Sequence, residues 1–385
     1  MIRITTNSTL FTYQSNLMQS TNQLYSAMSK LMTQRNFNAF SADPAAATRA
    51  FKIHSSLNAT RVQASNNETV VNKLSTAWDI EEQVTNALYD LGQKPALSGL
   101  NNPNFTVEES FAQILREGAQ SVVQSMNGKY DDSFIFNGAE TGEPPYAIVE
   151  DAANGGKLCL TFRGWRVDVP KNTDLYVDPE TGWNVDADGN PIDPAIQPPT
   201  ATPITNEQAF AMLEEMNSEH LYVDIGQGFK LDNNTGEILD SSAFDSAMSG
   251  MEFLGYGQDE NGNPKDIVSV MLRLADIYEG YDIENQQWGP AGDLEDASEL
   301  VKCFTDIQGE LSKAHSSLSA QVQGLKTNQT RLEDTFDALD TERGSIEDID
   351  QVDAIMELSW AQTCYNAALQ VGANVIPQSL MDYLN

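Results

Sequence analysis

Leucine stands at 311, 318, 325, 332 and 339, five times in succession at intervals of seven, in LSKAHSSLSAQVQGLKTNQTRLEDTFDAL (311–339), a stretch with no proline and one glycine. An α-helix turns once every 3.6 residues, so a repeat of seven places all five on one stripe. A lone helix cannot keep such a stripe from water. Each buried leucine is worth roughly 1.5–3 kcal/mol, which exposure forfeits. The segment must therefore meet another helix.

The chain offers two partners. Near its start, Leu10, Leu17, Leu24 and Leu31 repeat the same interval, with Met28 on the same seam. The second candidate runs from about 53 to 91. Asp43 stands where a helix N-cap belongs, and Pro44 takes the first helical position, where its missing N–H costs nothing. Leu74, Ala77, Val84, Leu88 and Leu91 then share a face, which Glu81 interrupts, and Gly92 and Pro95 end the helix. A further helix is expected over 107–127, making a helical hairpin.

The texture changes after YDDSFIFNGAETGEPPY (130–146). From 141 to about 263, short strand-like runs (YAIV, KLCLTF, WRVDV, HLYVDIG, FKLD, GEIL) alternate with glycine- and asparagine-rich turns. One short helix is expected at 206–216. DADGNPID (186–193) and DENGNPKD (259–266) are dense in acid but lack the glycine spacing and closing glutamate of a calcium-binding EF-hand, and read as hairpin turns. Helix resumes over 266–279, and a long helix follows from about 294 to 342. Gly344 and Ser345 read as a joint, with Ser345 capping a last helix that runs to about 372. Ile349, Val352, Met356 and Leu358 are its apolar positions.

These elements give an α+β chain: an elongated rod of long antiparallel helices built from both termini, with an inserted β-rich domain. Three parts are expected. Residues 1–40 with 345–385 form a terminal helical section, 41–140 with 264–344 a helical bundle, and 141–263 the insert. Leu10, Leu17, Leu24, Leu31, Leu311, Leu318, Leu325, Leu332, Leu339, Ile349 and Met356 are read as seam and assembly positions. The terminal helices are rich in Ser, Thr, Asn and Gln, hence marginal alone, and point to pairing with other subunits.

A net charge of −34 argues against nucleic acid and anionic membrane as partners. The charge is uneven. Residues 1–80 hold seven bases and three acids, leaving −38 for the rest. Three scattered cysteines (Cys159, Cys303, Cys364) form neither a disulfide framework nor a metal spacing. The start, MIRITTNSTLFTYQSN, has no apolar signal core, so export by a route that reads no cleaved signal, or retention, is expected. His54, His220 and His315 have no metal-site companions at helical spacing. No nucleophile elbow or His-Glu-x-x-His pair is present. The expectation is a protein without cofactor, metal or catalytic residues.

The two ends resemble the flagellin superfamily, and within it the hook–filament junction proteins. MIRITTN resembles that branch's start. LMTQRNFNAFSADPAAATRAF (31–51) resembles the shared stretch ending in Ser-Asp-Asp-Pro-Ala-Gly-like sequence, with Asp43 and Pro44 at its helix cap, though Thr33-Gln-Arg35-Asn replaces the usual lead-in. YDDSFIFNGAETGEPPY resembles the passage into the outer domain. SIEDIDQVDAIMELSWAQTCYNAALQVGANVIPQSLMDYLN (345–385) resembles the tail. The resemblance covers about 1–145 and 265–385. It implies a structural protein of the bacterial flagellum, extracellular after type III export, joining hook to filament. It implies as partners further copies in a ring, the hook-side junction protein, flagellin, and a cytoplasmic chaperone on the C-terminal helix. A filament flagellin, or an adhesive or carbohydrate-binding module on a flagellar subunit, is the alternative.

Overall fold

The computed structural model of the protein describes residues 6–92, 105–140, 142–196, 201–228, 230–231, 236, 238, 242–282 and 287–375. The opening MIRIT, the closing IPQSLMDYLN and parts of the FKLD and GEIL runs lie outside them. Eight α-helices are described: α1 (Thr6–Thr33), α2 (Pro44–Gly92), α3 (Phe105–Met126), α4 (Asn206–Asn217), α5 (Gly250–Leu254), α6 (Ile267–Glu279), α7 (Leu294–Glu347) and α8 (Gln351–Val375). The sheets are small and antiparallel, so the chain is α+β with long helices. Contacts divide it into two compact units, Met1–Ala64 with Thr330–Asn385, and Ser65–Gln329. The boundaries fall inside α2 and α7, and the expected 141–263 insert lies wholly in the second unit.

In the first unit, the Asp43 side chain accepts the Ala46 N–H at 2.9 Å, and α2 begins at Pro44. Ala50, Ile53, Leu57 and Thr60 face inward along α2. Leu332 is buried on α7, and Leu339 is half-buried. The two helix segments run antiparallel, as their cross-contacts record. His54 Nε2 lies 2.8 Å from Glu347 Oε1, and the Arg61 guanidinium covers the Phe336 ring at 5.4 Å.

The second unit holds one continuous core. Leu311, Leu318, Val322 and Leu325 of α7 join Val70, Leu74, Ala77, Val84, Leu88 and Leu91 of α2. Asn67 Nδ2 donates to the Leu325 carbonyl at 3.0 Å, and Gln308 Nε2 donates to that of Leu88 at 2.6 Å. The first three leucines of the stripe at 311–339 thus meet the 53–91 candidate. Glu81 is buried on that face, with Oε2 3.7 Å from His315 Nδ1 while Trp78 stacks on the His315 ring. Burial pushes its carboxyl up to about 8, with Glu252 adding to the rise.

α6 is apolar on nearly every side, and ten of its residues are buried. It packs against α3 and against the strand Lys157–Phe162. Asp266 caps α6 by accepting the Ser269 N–H at 2.7 Å. Desolvation, with Asp168 nearby, raises its carboxyl to about 7. α4 carries a full capping box between Thr205 and Gln208.

The β-rich segment leaves and returns through one strand pair. Asn137 and Gly138 pair with Ser249 and Met248, and Gly250 N–H donates to the Phe136 carbonyl at 2.9 Å. Its largest sheet has three strands, Tyr146–Asp151, Lys157–Phe162 and Trp165–Arg166, in sequential order. The two acid-dense segments form the same turn twice. Asp186 Oδ1 accepts the N–H groups of Asp188 and Asn190; Asp259 Oδ1 accepts those of Asn261 and Asn263. Gly189 and Gly262 supply the left-handed residue, φ 81° and 84°. Each aspartate is satisfied by its own backbone, as a hairpin turn requires.

Candidate assembly surface

α1 and α8 lie side by side, with Cα atoms within 8 Å. Lys30 Nζ meets Glu357 at 3.1 Å, and the Gly372 backbone lies against the Tyr13 phenol, so the helices run antiparallel. On α1 the covered positions include Tyr13, Leu17, Ser20, Leu24, Ala27 and Leu31, which alternate by four and three. On α8 they are Ala354, Leu358, Ala361, Tyr365, Ala368 and Gly372, in the same rhythm. Both are heptad seams. Ala354, Ala361, Ala368 and Gly372 keep much of the α8 seam small, which is what a close helix approach needs.

This pairing places the expected assembly residues. Leu17, Leu24 and Leu31 are half-buried on the α1 seam. Leu10 lies in α1, but its side chain is outside the described residues. Leu311, Leu318, Leu325 and Leu332 are buried between helices of the same chain. Ile349 is half-buried in the connection between α7 and α8. Met356 is 57% exposed and lies off the α1-facing positions of α8, open to another subunit. The helix phase set by Ala354 and Ala361 carries it outward, together with Val352. Met28 is likewise exposed.

The joint is corrected. α7 continues through Gly344 and Ser345 to Glu347, and the Ser345 hydroxyl donates back to the Glu342 carbonyl. The break falls at 348–350, where Asp350 caps α8 by accepting the Val352 and Asp353 N–H groups. A long-range contact sets this place. Asn36 N–H donates to the Glu347 carbonyl at 2.8 Å, and Asn36 Nδ2 donates to the carbonyls of Ile346 and Asp348. Gln34, with φ 56°, turns the chain out of α1 into this pairing.

The outer faces are apolar. Phe11, Met18, Tyr25 and Met32 repeat at intervals of seven, and each is exposed. α8 exposes Val352, Ile355, Met356, Trp360 and Val371. In a chain of net charge −34, α1 has one charged side chain, Lys30, and α8 has two, Asp353 and Glu357. Contiguous exposed apolar surface of this kind marks an interaction face. The signal was present in the sequence: a large apolar residue follows each leucine of the first stripe. Adjacent residues lie about 100° apart on a helix, so such doublets make two faces.

Elsewhere the charged clusters are structural. Arg166 bridges Asp151 and Asp168, and Arg273 holds the other side of Asp168. Tyr176 is buried and tilted against Trp165, and its hydroxyl accepts the Arg166 N–H. Among the described residues no group of three or more His, Cys, Asp or Glu is placed to hold a metal ion. No described helix is long and apolar enough to cross a membrane.

No curated protein matches the sequence. Among solved structures, a flagellar hook-associated protein of Vibrio parahaemolyticus is similar at 13% identity and a TM-score of 0.49, over 80% of this chain and all of that one. Bacillus cereus FlgL is similar at 14% identity and a TM-score of 0.38, over 76% of this chain and 99% of that one. Flagellar hook-associated protein 3 of Legionella pneumophila is similar at 14% identity and a TM-score of 0.41, over 76% and 98%. Residues 302–384, which take in most of α7 and all of α8, match the family model of the bacterial flagellin C-terminal helical region.

Proposed function

We propose that this chain is a structural subunit of the bacterial flagellum, of the hook–filament junction type, which assembles with further copies through the outer faces of α1 and α8. The observation that carries the reading is the flagellin-type match over 302–384. That segment contains the helix whose seam α1 completes. The reading is supported by the apolar faces left over once the seam is closed. Each large apolar side chain there gains roughly 1.5–3 kcal/mol when a neighbouring subunit covers it.

On this reading the protein is exported to the cell exterior without a cleaved signal peptide. A cytoplasmic chaperone covers the C-terminal helix beforehand. The assembled ring then contacts the hook-side junction protein below and flagellin above. The β-rich segment supplies the part remote from the terminal helices in sequence.

Immunogold electron microscopy of detached flagella, with an antibody to residues 146–262, tests this. A single labelled band where hook meets filament is expected. Label along the whole filament makes the protein a filament flagellin, and no label on flagella removes the reading altogether.

A further inference from the structure

The first unit segregates its charge by chain segment. Residues 44–64 of α2 contain Arg49, Lys52 and Arg61 and no acid at all. The last part of α7, 330–347, contains six acids against two arginines. Some of these side chains are engaged internally: His54 Nε2 lies 2.8 Å from Glu347, and Arg343 meets Asp340 at 2.9 Å. Four charges are not. Arg49 and Lys52, three apart on α2, are exposed, as are Asp334 and Asp337, three apart on α7. None of the four makes an ion pair among the described residues. Phe51, beside Lys52, is 76% exposed, which gives the basic face an apolar anchor.

Two outward faces of opposite sign on one unit constrain how copies can meet. A two-fold contact pairs residue i of one copy with residue j of the other, and j with i, so it can set base on acid twice. A head-to-tail contact sets the basic face of one copy against the acidic face of the next. Complementary charge favours either arrangement so long as base meets acid, and penalises contacts that set like on like. Head-to-tail contacts close into rings or continue into helices, whereas two-fold contacts stop at dimers.

Resting on the reading that the chain assembles with itself in a ring, which requires head-to-tail contacts, we infer that the Arg49–Lys52 face of α2 docks against the Asp334–Asp337 face of α7 in a neighbouring copy. This seam is separate from the apolar faces of α1 and α8. It lies on exposed charge, so it weakens as salt shortens the range of the attraction.

The test uses the full-length protein at high concentration and low salt, with normal and heavy-isotope-labelled copies mixed. A zero-length carbodiimide reagent joins amine to carboxylate only where they touch. Links from Lys52 to Asp334 or Asp337 between differently labelled copies are expected, and fewer at higher salt. The R49E/K52E and D334K/D337K variants should each retain the helical circular dichroism of the parent yet lose cross-linked multimer by roughly tenfold. An equimolar mixture of the two should recover it, because each then presents the sign its partner lacks. Multimers that persist in both variants, or a mixture that fails to recover, overturn the seam while leaving self-assembly intact. No multimer of the parent protein under any condition overturns the seam together with the self-assembly reading.

Discussion

Tyr13 on α1 and Gly372 on α8 occupy the same space at opposite ends of the sequence: a Cβ on residue 372 would overlap the Tyr13 hydroxyl and ring. Gly372 is therefore the hole into which Tyr13 packs. Gly372→Ala should weaken the α1–α8 pair by about 1–3 kcal/mol. Tyr13→Leu should relieve much of that loss in the double variant. Trypsin cleavage after Lys30, followed over time, reports the pair: faster in Gly372→Ala, slower again in the double variant. Equal rates in all three sink the packing argument.

Leu325 and Met356 separate stability from assembly. Leu325 is 3% exposed within the core, so Leu325→Ala should cost about 2–5 kcal/mol in urea unfolding. Met356→Ala should cost under about 0.5 kcal/mol, as surface substitutions do. Its effect should appear instead in association, read by light scattering.

The outer stripe of α1 makes a sharper version of that contrast. Met18→Ser with Tyr25→Ser should leave the Leu17–Leu24 seam in place, with helical circular dichroism close to the parent. Self-association should fall by roughly tenfold or more, given about 1.5–3 kcal/mol for each large apolar side chain covered. Unchanged association would remove this face from the assembly.

Glu81 sets a pH dependence of definite sign. Its folded carboxyl holds a proton to about 8, against an ordinary value of 4.5. Between those values the folded state binds more protons than the unfolded one, so the stability that Glu81 permits falls as pH rises through the window. Glu81→Gln removes the titration, and its unfolding free energy should exceed the parent's by roughly 1–3 kcal/mol at pH 9 while differing little at pH 5. Guanidinium titrations at the two values check it. A parent that grows more stable from pH 5 to 8, with Glu81→Gln unchanged, contradicts the burial argument.

Asn36 fastens the start of the chain to the α7–α8 break through three hydrogen bonds. Asn36→Ala removes the two side-chain bonds and should cost about 1–2 kcal/mol. Hydrogen exchange at the Ile349 amide, which donates to the Gln34 carbonyl, should speed up with it.

The helices were legible because large leucines on a regular period leave little choice. Asp43-Pro44 likewise states a helix start in local chemistry alone. Where the sequence misled, the deciding interaction was remote or small. Met356 is an apolar position of α8, yet the seam with α1 is built from Ala354, Leu358, Ala361, Tyr365, Ala368 and Gly372. Gly344 looked like a break, but a helix tolerates one glycine at about 1 kcal/mol. The break sits instead where Asn36 reaches across to 346–348, a contact that nothing near residue 348 announces. The strand runs were visible as texture, while their partners were not. Ser249 finds Asn137 through pairing that period and propensity do not encode.

The Lys30–Glu357 contact spans 327 positions. A ribosome makes α1 before α8, so the seam of α1 stays without its mate until the 327 positions that separate Lys30 from Glu357 have been made. For that interval Leu17, Leu24 and Leu31 stand as open as Phe11 and Met18. A nascent chain that folds its middle before its ends can close leaves its earliest helix the most exposed to capture by another molecule.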